Sequence, residues 1–85
     1  MKEFQYVITD PLGLHARPAG MLVKAAAGYS SAITVATDGG KADAKRIMAV
    51  MRLAAKQGHT LTVTCEGADE DAAAAGMKAF MEKNL

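Results

Sequence analysis

The sequence predicts an α+β domain of two layers, with one sheet covered by helices on a single face. Four segments alternate apolar and polar residues, which is typical of strands with one buried face. Three other segments carry apolar residues at helical spacing. Their order, β-α-β-β-α-β-α, together with strands that have one polar face, favours helices on one side only. The pattern does not determine the order of the strands, and a split β-α-β unit shares this order of elements.

The first strand is predicted over residues 4–9, where Phe4, Tyr6 and Ile8 alternate with the residues at 5, 7 and 9. The Asp-Pro-Leu-Gly segment at 10–13 indicates a turn or loop. Pro18 suits the first turn of a helix, because its missing N–H has no partner there in any case. Gly28 is the predicted end of this helix. The residues predicted to form its buried face are Ala19, Leu22, Val23 and Ala26.

The middle of the chain predicts a hairpin followed by a second helix. Residues 33–35 alternate as a second strand, and Asp-Gly-Gly at 38–40 is a strong hairpin turn. A short third strand is expected at 41–43. The second helix is predicted from residue 44 to residue 57, with Gly58 ending it.

The last part of the chain predicts a strand and a third helix. Apolar residues alternate strictly with threonines over 60–65, so this strand has one buried face that includes Cys65. The helix begins with the acidic residues 69–71 and carries Lys78 and Lys83 late, which matches the helix dipole at both ends. Its predicted buried stripe consists of Ala73, Met77 and Phe80.

Composition restricts the class of protein. Eighty-five residues, of which 51% are hydrophobic, are enough for one domain spanning residues 1–85. A net charge of +1 argues against a general nucleic-acid binder. The single cysteine, Cys65, makes no internal disulfide and belongs to no zinc-type cluster, so no metal or cofactor is expected. With no apolar run long enough for a membrane span and no signal-peptide pattern, we expect a cytosolic location.

Charge is unevenly distributed along the chain. Residues 15–56 carry seven basic and two acidic side chains, whereas residues 57–85 carry two basic and five acidic ones. A basic region on a nearly neutral protein suits a negatively charged partner or ligand met at a defined patch. Ordinary solvated lysines are the alternative interpretation.

The most specific motif is Gly-Leu-His-Ala-Arg-Pro-Ala at 13–19. His15 falls at the predicted start of the first helix, where unpaired N–H groups stabilise an anion. A neutral imidazole there can attack a phosphoryl group. The N–H groups of Ala16 and Arg17 could then bind phosphate oxygens, and the Arg17 guanidinium could add a bidentate contact. A lone histidine at this position is ordinarily a cap or a solvated side chain, but a chance match to the whole motif is very improbable.

At these residues the chain resembles HPr, the family of histidine-containing phosphocarriers of the bacterial phosphoenolpyruvate-dependent sugar phosphotransferase system. The Lys-Arg-Ile-Met-Ala-Val-Met segment at 45–51 is similar to the second helix of that family. The resemblance implies an open-faced β-sandwich, with an antiparallel sheet in the order 1-4-2-3 under three helices. It implies that His15 accepts a phosphoryl group from phospho-enzyme I on its delta nitrogen and passes it to enzyme IIA, while Arg17 steadies the phosphate. Such a chain is a carrier and not an enzyme, and it needs no cofactor.

The second helix has more apolar residues than one buried stripe needs. Val50, Leu53 and Ala54 are predicted to face the sheet. The residues predicted to point outward, with a basic rim, are Ile47, Met48, Met51, Lys45, Arg46 and Arg52. Exposed methionines form adaptable contact surfaces, and an apolar centre with a polar rim is ordinary interface anatomy. The positions that the resemblance implies for partner binding are Ala16, Arg17, Gly20, Lys24, Ala27, Ile47, Met48, Met51 and Arg52. A monomer is expected, since this face must stay available.

Two residues depart from the family pattern. Arg46 stands where some members carry a regulatory serine that an ATP-dependent kinase phosphorylates, so this regulation is not implied for the chain. Leu12 stands where many members have a small polar residue beside the histidine, which removes one side-chain hydrogen bond. Neither departure removes the phosphorylation chemistry at His15.

Three alternatives stay open. The first is a regulatory paralogue, similar to the nitrogen-branch carrier, whose phosphorylation state signals instead of feeding sugar uptake. The second is an α+β module that binds RNA or a small anion on its basic face, although the sequence offers few aromatic side chains for base stacking. The third is a free-standing enzyme, which is disfavoured because no second acid or base accompanies His15 and a chain of this size offers no deep pocket.

Overall fold

The protein folds as one antiparallel sheet with three helices packed on it. The computed structural model describes all 85 residues. The elements are β1 (Lys2–Val7), α1 (Ala16–Ala27), β2 (Ala32–Thr37), β3 (Gly40–Asp43), α2 (Ile47–Arg52), β4 (Thr60–Glu66) and α3 (Glu70–Asn84). The strands lie in the order β1-β4-β2-β3, and all three pairs are antiparallel. The open-faced α+β sandwich and its strand order are therefore confirmed.

The core lies between the sheet and the helices, and β4 runs through its middle. Leu61, Val63 and Cys65 are fully buried, as the alternation predicts, while the intervening threonines face the other side. Val63 pairs with Phe4 of β1 on one side and with Val35 of β2 on the other. Burial of such cross-strand apolar rows is what holds the strands in register.

Two long helices cover the sheet, and each departs slightly from its predicted buried face. In α1, Val23 is only half-buried, while the rest of the predicted stripe is fully buried. In α3, the stripe passes through Met81 and not through Phe80, which is half-buried at the edge of the core. Residues 73, 77 and 81 recur every four positions and so share one side of the helix. None of the helices combines the length and the apolar character that crossing a membrane requires.

The second helix begins at Ile47 and not at residue 44 as predicted. Ala44 is fully buried and donates its N–H to the carbonyl of Ile33, which extends the edge of the sheet. Asp43 then accepts hydrogen bonds from the next two N–H groups. Its carboxylate accepts the N–H of Lys45 (2.9 Å), and its carbonyl accepts the N–H of Arg46 (3.0 Å). Aspartate competes in this way for backbone donors at turns. The helix consequently begins at Ile47.

The prediction was also wrong at the end of α2. The helix stops at Arg52, and Ala54 adopts a φ of +49°, which is uncommon for a residue with a Cβ. Ala54 is exposed and does not face the sheet, whereas Ala55 is buried. Leu53 packs only partly against the core. The break turns the chain so that Ala55, instead of Ala54, contacts the rest of the protein.

A carboxylate ties the segment after α1 to the start of α3. Asp69 accepts hydrogen bonds from the N–H groups of Ser30 and Ser31, both 2.9 Å long, and from the Ser31 hydroxyl. The Ser31 hydroxyl, with the Ser30 and Ser31 amides, lowers the pKa of Asp69 to about 2. Ser31 is almost fully buried, so this carboxylate is the partner of an otherwise inaccessible hydroxyl.

Candidate functional site: the start of the first helix

The loop before α1 is held against the segment that follows α2. The Leu14 N–H donates to the carbonyl of Ala55 (2.8 Å), and the Leu14 side chain is buried. Gly13 has a φ of +66°, and a Cβ on it would lie 2.5 Å from the Ala55 oxygen and 2.7 Å from the Cα of Lys56. Only glycine fits this conformation and this approach. The residues that follow the break in α2 therefore pack directly against Gly13 of the motif.

A second anchor comes from the end of the chain. The carbonyl of Leu85 accepts hydrogen bonds from the N–H groups of Thr9 (2.6 Å) and Asp10 (2.8 Å). Asp10 then accepts the Leu12 N–H on its carboxylate (2.8 Å) and the Gly13 N–H on its carbonyl (2.9 Å). The loop is thus fixed on both sides before it reaches the helix. The Leu12 side chain is 72% exposed and, being apolar, offers the histidine no hydrogen bond.

His15 is the residue that immediately precedes α1. Its backbone is extended (φ −86°, ψ −175°), and its carbonyl accepts the Ala19 N–H (2.9 Å). Its imidazole makes no capping hydrogen bond to the helix and is half-buried. The side chain therefore does not serve as a helix cap, which was the simplest alternative to a functional role.

The first turn of α1 presents unpaired donors beside His15. The N–H groups of Ala16 and Arg17 have no acceptor within the protein, and Pro18 has no N–H to satisfy. No acidic residue lies in this turn to neutralise the positive end of the helix. Arg17 is exposed and forms no ion pair. Two amide donors and one guanidinium are thus available to an anion bonded to the imidazole.

His15 and Arg17 line the same shallow depression, of about 340 Å³. The other residues that line it are Asp10, Leu12, Pro18, Met21 and Asn84. Nothing in the sequence predicted that Asn84 or Met21 lies at the site of His15. Asn84 donates its side-chain amide to the Phe80 carbonyl (3.0 Å) at the end of α3, and no motif near the end of the chain indicates that it reaches the histidine.

An exposed apolar patch lies on α2, which packs against α1. Ile47, Met48 and Met51 are 41%, 62% and 38% exposed, as predicted. Gly20 of α1 meets this patch, since a Cβ on it would lie 3.6 Å from the Cδ1 of Ile47. The structure therefore places one α1 position and one α2 position of the predicted docking face next to each other. The other predicted positions that are exposed are Ala16, Arg17, Lys24, Ala27, Arg46 and Arg52.

Lys45 does not join the predicted basic rim. It is half-buried, and its ammonium donates to the carbonyl of Tyr29 (2.7 Å), just after the end of α1. A lysine that holds a backbone carbonyl in this way is tied to the fold and is not free for a partner. Arg46, directly before α2, keeps an exposed side chain without an ion pair.

The other reactive groups lie away from the site. Cys65 is fully buried in β4, and this burial raises the pKa of its thiol, which fits a structural residue. His59 is exposed, and its Nδ1 accepts the Lys56 N–H (3.1 Å) in the turn before β4. All four aromatic side chains are partly buried and pack against the core, so none forms an exposed platform for stacking bases. The residues concerned are Phe4, Tyr6, Tyr29 and Phe80.

Comparisons with known proteins identify the family of this chain. The family model described as "PTS HPr component phosphorylation site" matches residues 2–83. The phosphocarrier protein HPr of Lysinibacillus sphaericus is 51% identical over 73 residues, covering 86% of this chain and 83% of that protein. The solved structure of a Mycoplasma histidine-containing phosphocarrier protein superposes with a TM-score of 0.93 at 40% identity, covering 96% of this chain and 93% of that one.

Two further relatives show how the family varies. The HPr-like protein Crh of Halalkalibacterium halodurans is 42% identical over 83 residues, covering 98% of this chain and 99% of that protein. The structure of an HPr dimer from Thermoanaerobacter tengcongensis has a TM-score of 0.77 at 40% identity and covers 98% of this chain and 95% of that one. The family match over nearly the whole chain and this run of full-length relatives lead to one conclusion: the chain belongs to the HPr family, the non-catalytic phosphocarrier proteins of the phosphotransferase system.

Proposed function

We propose that this chain accepts a phosphoryl group on His15 from phospho-enzyme I and donates it to enzyme IIA components of the sugar phosphotransferase system. The observation that carries the proposal is the arrangement at the start of α1. There a half-buried imidazole without a capping bond adjoins two unpaired N–H groups and an arginine without an ion pair. All of these donors favour added negative charge at one point.

The transfer is a displacement at phosphorus. The lone pair of the His15 Nδ1 forms a bond to phosphorus while the bond from phosphorus to the donor breaks, and that electron pair stays with the donor. The N–H groups of Ala16 and Arg17 bind two phosphate oxygens, and the Arg17 guanidinium binds the phosphate from the solvent side. The second transfer repeats the displacement, with the His15 nitrogen as the leaving group. Because no step needs a metal ligand or a base of this chain, its residues only hold the phosphate and release it.

The docking face of the proposal consists of the exposed α2 patch and the neighbouring face of α1. The exposed methionines and Ile47 can repack against partners of different shape, and Arg52 adds positive charge at the rim. A carrier that must leave each partner needs a small interface. We further propose that residues 1–85 act as one domain, monomeric and cytosolic, because one core joins all the elements and this face must stay open.

The test is intact-mass analysis after incubation with enzyme I, magnesium and phosphoenolpyruvate. The wild type should gain one phosphate that mild acid removes. His15→Ala should gain none, whereas His59→Ala, which removes the other histidine, should behave as the wild type. A phosphate gained by His15→Ala would contradict the assignment of the site.

A regulatory role is the second candidate, favoured by the similarity to Crh proteins, of which the Bacillus subtilis member is described as a catabolite repression protein. The same histidine would then be phosphorylated, as in the nitrogen-branch carriers, but the phosphorylation state would serve as a signal. Incubation of the phosphorylated protein with purified enzyme IIA domains separates the two roles. Rapid transfer to a sugar-specific enzyme IIA supports the carrier, and transfer confined to a nitrogen-branch acceptor supports the regulator.

A further inference from the structure

A groove runs between α1 and α3 beside the depression of His15. It has a volume of about 400 Å³, and the apolar side chains of Met21, Ala25 and Phe80 form its floor. Met21 is 41% exposed, and Phe80 and Ala25 are partly buried against the core. The polar residues at its edge are Lys24, Lys83 and Asn84. The groove therefore combines an apolar floor with two ammonium groups.

Neither lysine has a counter-charge within the protein. The only ion pairs join the amino terminus to Glu70 and Lys2 to Asp71, and no carboxylate lines the groove. Lys24 and Lys83 are both exposed. Two unpaired cations beside one apolar floor are complementary to an apolar side chain that has carboxylates next to it.

The groove is continuous with the site of phosphoryl transfer. Met21 and Asn84 line both the groove and the depression that holds His15 and Arg17. A protein that reaches the imidazole of His15 consequently places its neighbouring surface over the groove. The groove extends from α1 towards α3 and shares Lys24 with the docking face described above, whose other part lies on α2.

We propose that the groove binds an apolar side chain flanked by carboxylates on the proteins that exchange the phosphoryl group with His15. The apolar side chain covers Met21 and Phe80, and the carboxylates pair with Lys24 and Lys83. This inference rests on the proposed function and extends the docking face to α3. Its energetic effect is concentrated in the encounter with the partner, because exposed charges act mainly on the rate of association.

The test compares two charge reversals on the same helix. Lys83→Glu places a carboxylate at the edge of the groove, while Lys78→Glu makes the same change of charge at an exposed position of α3 outside the groove. Transfer from phospho-enzyme I and transfer to enzyme IIA are measured at low and moderate salt. In the transfers that use the groove, Lys83→Glu should raise the KM for this protein about fivefold at low salt. The maximal rate should change little, and Lys78→Glu should stay within about twofold of the wild type.

A second variant addresses the apolar floor and guards against a misfolded protein. Met21→Gln keeps the length of an exposed side chain but makes the floor polar, so it should also raise KM, and thermal melts should match the wild type. Equal KM values for the Lys83 and Lys78 variants in both transfers would overturn the groove while leaving the carrier function intact. Loss of transfer in every protein, wild type included, would overturn the carrier function and the groove with it.

Discussion

The contact between Gly13 and Ala55 couples the loop of His15 to the break at the end of α2, and a single methyl group tests it. Gly13→Ala introduces a Cβ that would lie 2.5 Å from the Ala55 oxygen, which belongs to the backbone and cannot rotate away. Gly58→Ala is the matched control. Gly58 also has a positive φ, of +91°, but a Cβ on it would meet nothing within 4 Å.

The two substitutions share one cost and differ in another. A left-handed conformation costs a residue with a Cβ about 1–2 kcal/mol, and alanine recovers about 0.4–1 kcal/mol by restricting the unfolded chain. About 1 kcal/mol of destabilisation is left for each variant. Gly13→Ala must in addition separate Leu14 from Ala55, which loses a hydrogen bond of about 1 kcal/mol and adds packing strain of at least about 1 kcal/mol. We therefore expect about 3 kcal/mol for Gly13→Ala.

Thermal unfolding followed by circular dichroism measures the difference directly. For a domain of this size, about 2 kcal/mol corresponds to roughly 8–16 °C in Tm, so Gly13→Ala should melt that far below Gly58→Ala. Its phosphorylation by enzyme I, assayed at a temperature where it is folded, should also be slower, because the loop positions His15. Equal melting temperatures for the two variants would refute the contact as the constraint on this glycine.

Three further predictions concern other parts of the fold and site. Ala54→Gly should raise stability by about 0.5–1 kcal/mol, measured in urea, because it relieves a left-handed alanine that costs about 1–2 kcal/mol; a loss of stability would contradict the strain. Hydrogen bonds lower the pKa of Asp69 from its ordinary value near 3.8 to about 2. They should therefore stabilise the fold at pH values above 3.8, and this contribution should disappear as the pH falls towards 2. Ser31→Ala, with its bond removed, should therefore show a weaker fall of Tm over that range, and an unchanged fall would contradict the role of the hydroxyl. Arg17→Gln should lower the maximal rate of phosphoryl transfer about tenfold to a hundredfold. Arg52→Gln should instead raise the KM for the partner protein. A raised KM for Arg17→Gln together with a lowered maximal rate for Arg52→Gln would contradict these separate roles.

The sequence predicted those parts of the fold that depend on local periodicity. The alternation around Val63 and the helical spacing of α1 were predicted correctly, because the buried rows of a strand and the buried stripe of a helix are periodic by geometry. The hairpin turn at Asp38 and Gly39 follows from the preference of tight turns for these residues. His15 and Arg17 could be identified from the sequence because the motif is contiguous and lies on one helix turn.

The limits of α2 could not be predicted, because a local competitor for backbone donors and contacts distant in the sequence override the helix propensity of the segment. Residues 44–57 contain good helix formers and no glycine or proline, yet Asp43 takes the first donors and Ala55 supplies an acceptor to Leu14. The anchor at Leu85 is also a tertiary contact, with 76 residues separating it from Thr9. The same holds for the groove between α1 and α3, since no pattern along the chain joins Lys24 to Lys83.

The most direct test of phosphate binding at the start of α1 is the response of the backbone amides when His15 is phosphorylated. Proton–nitrogen correlation spectra of the protein, recorded before and after reaction with enzyme I and phosphoenolpyruvate, report each N–H group. We predict the largest downfield shifts at Ala16 and Arg17, together with a phosphorus–nitrogen bond at the Nδ1 of His15. Largest shifts elsewhere, for example in the turn around His59, would contradict the claim that the start of α1 holds the phosphate.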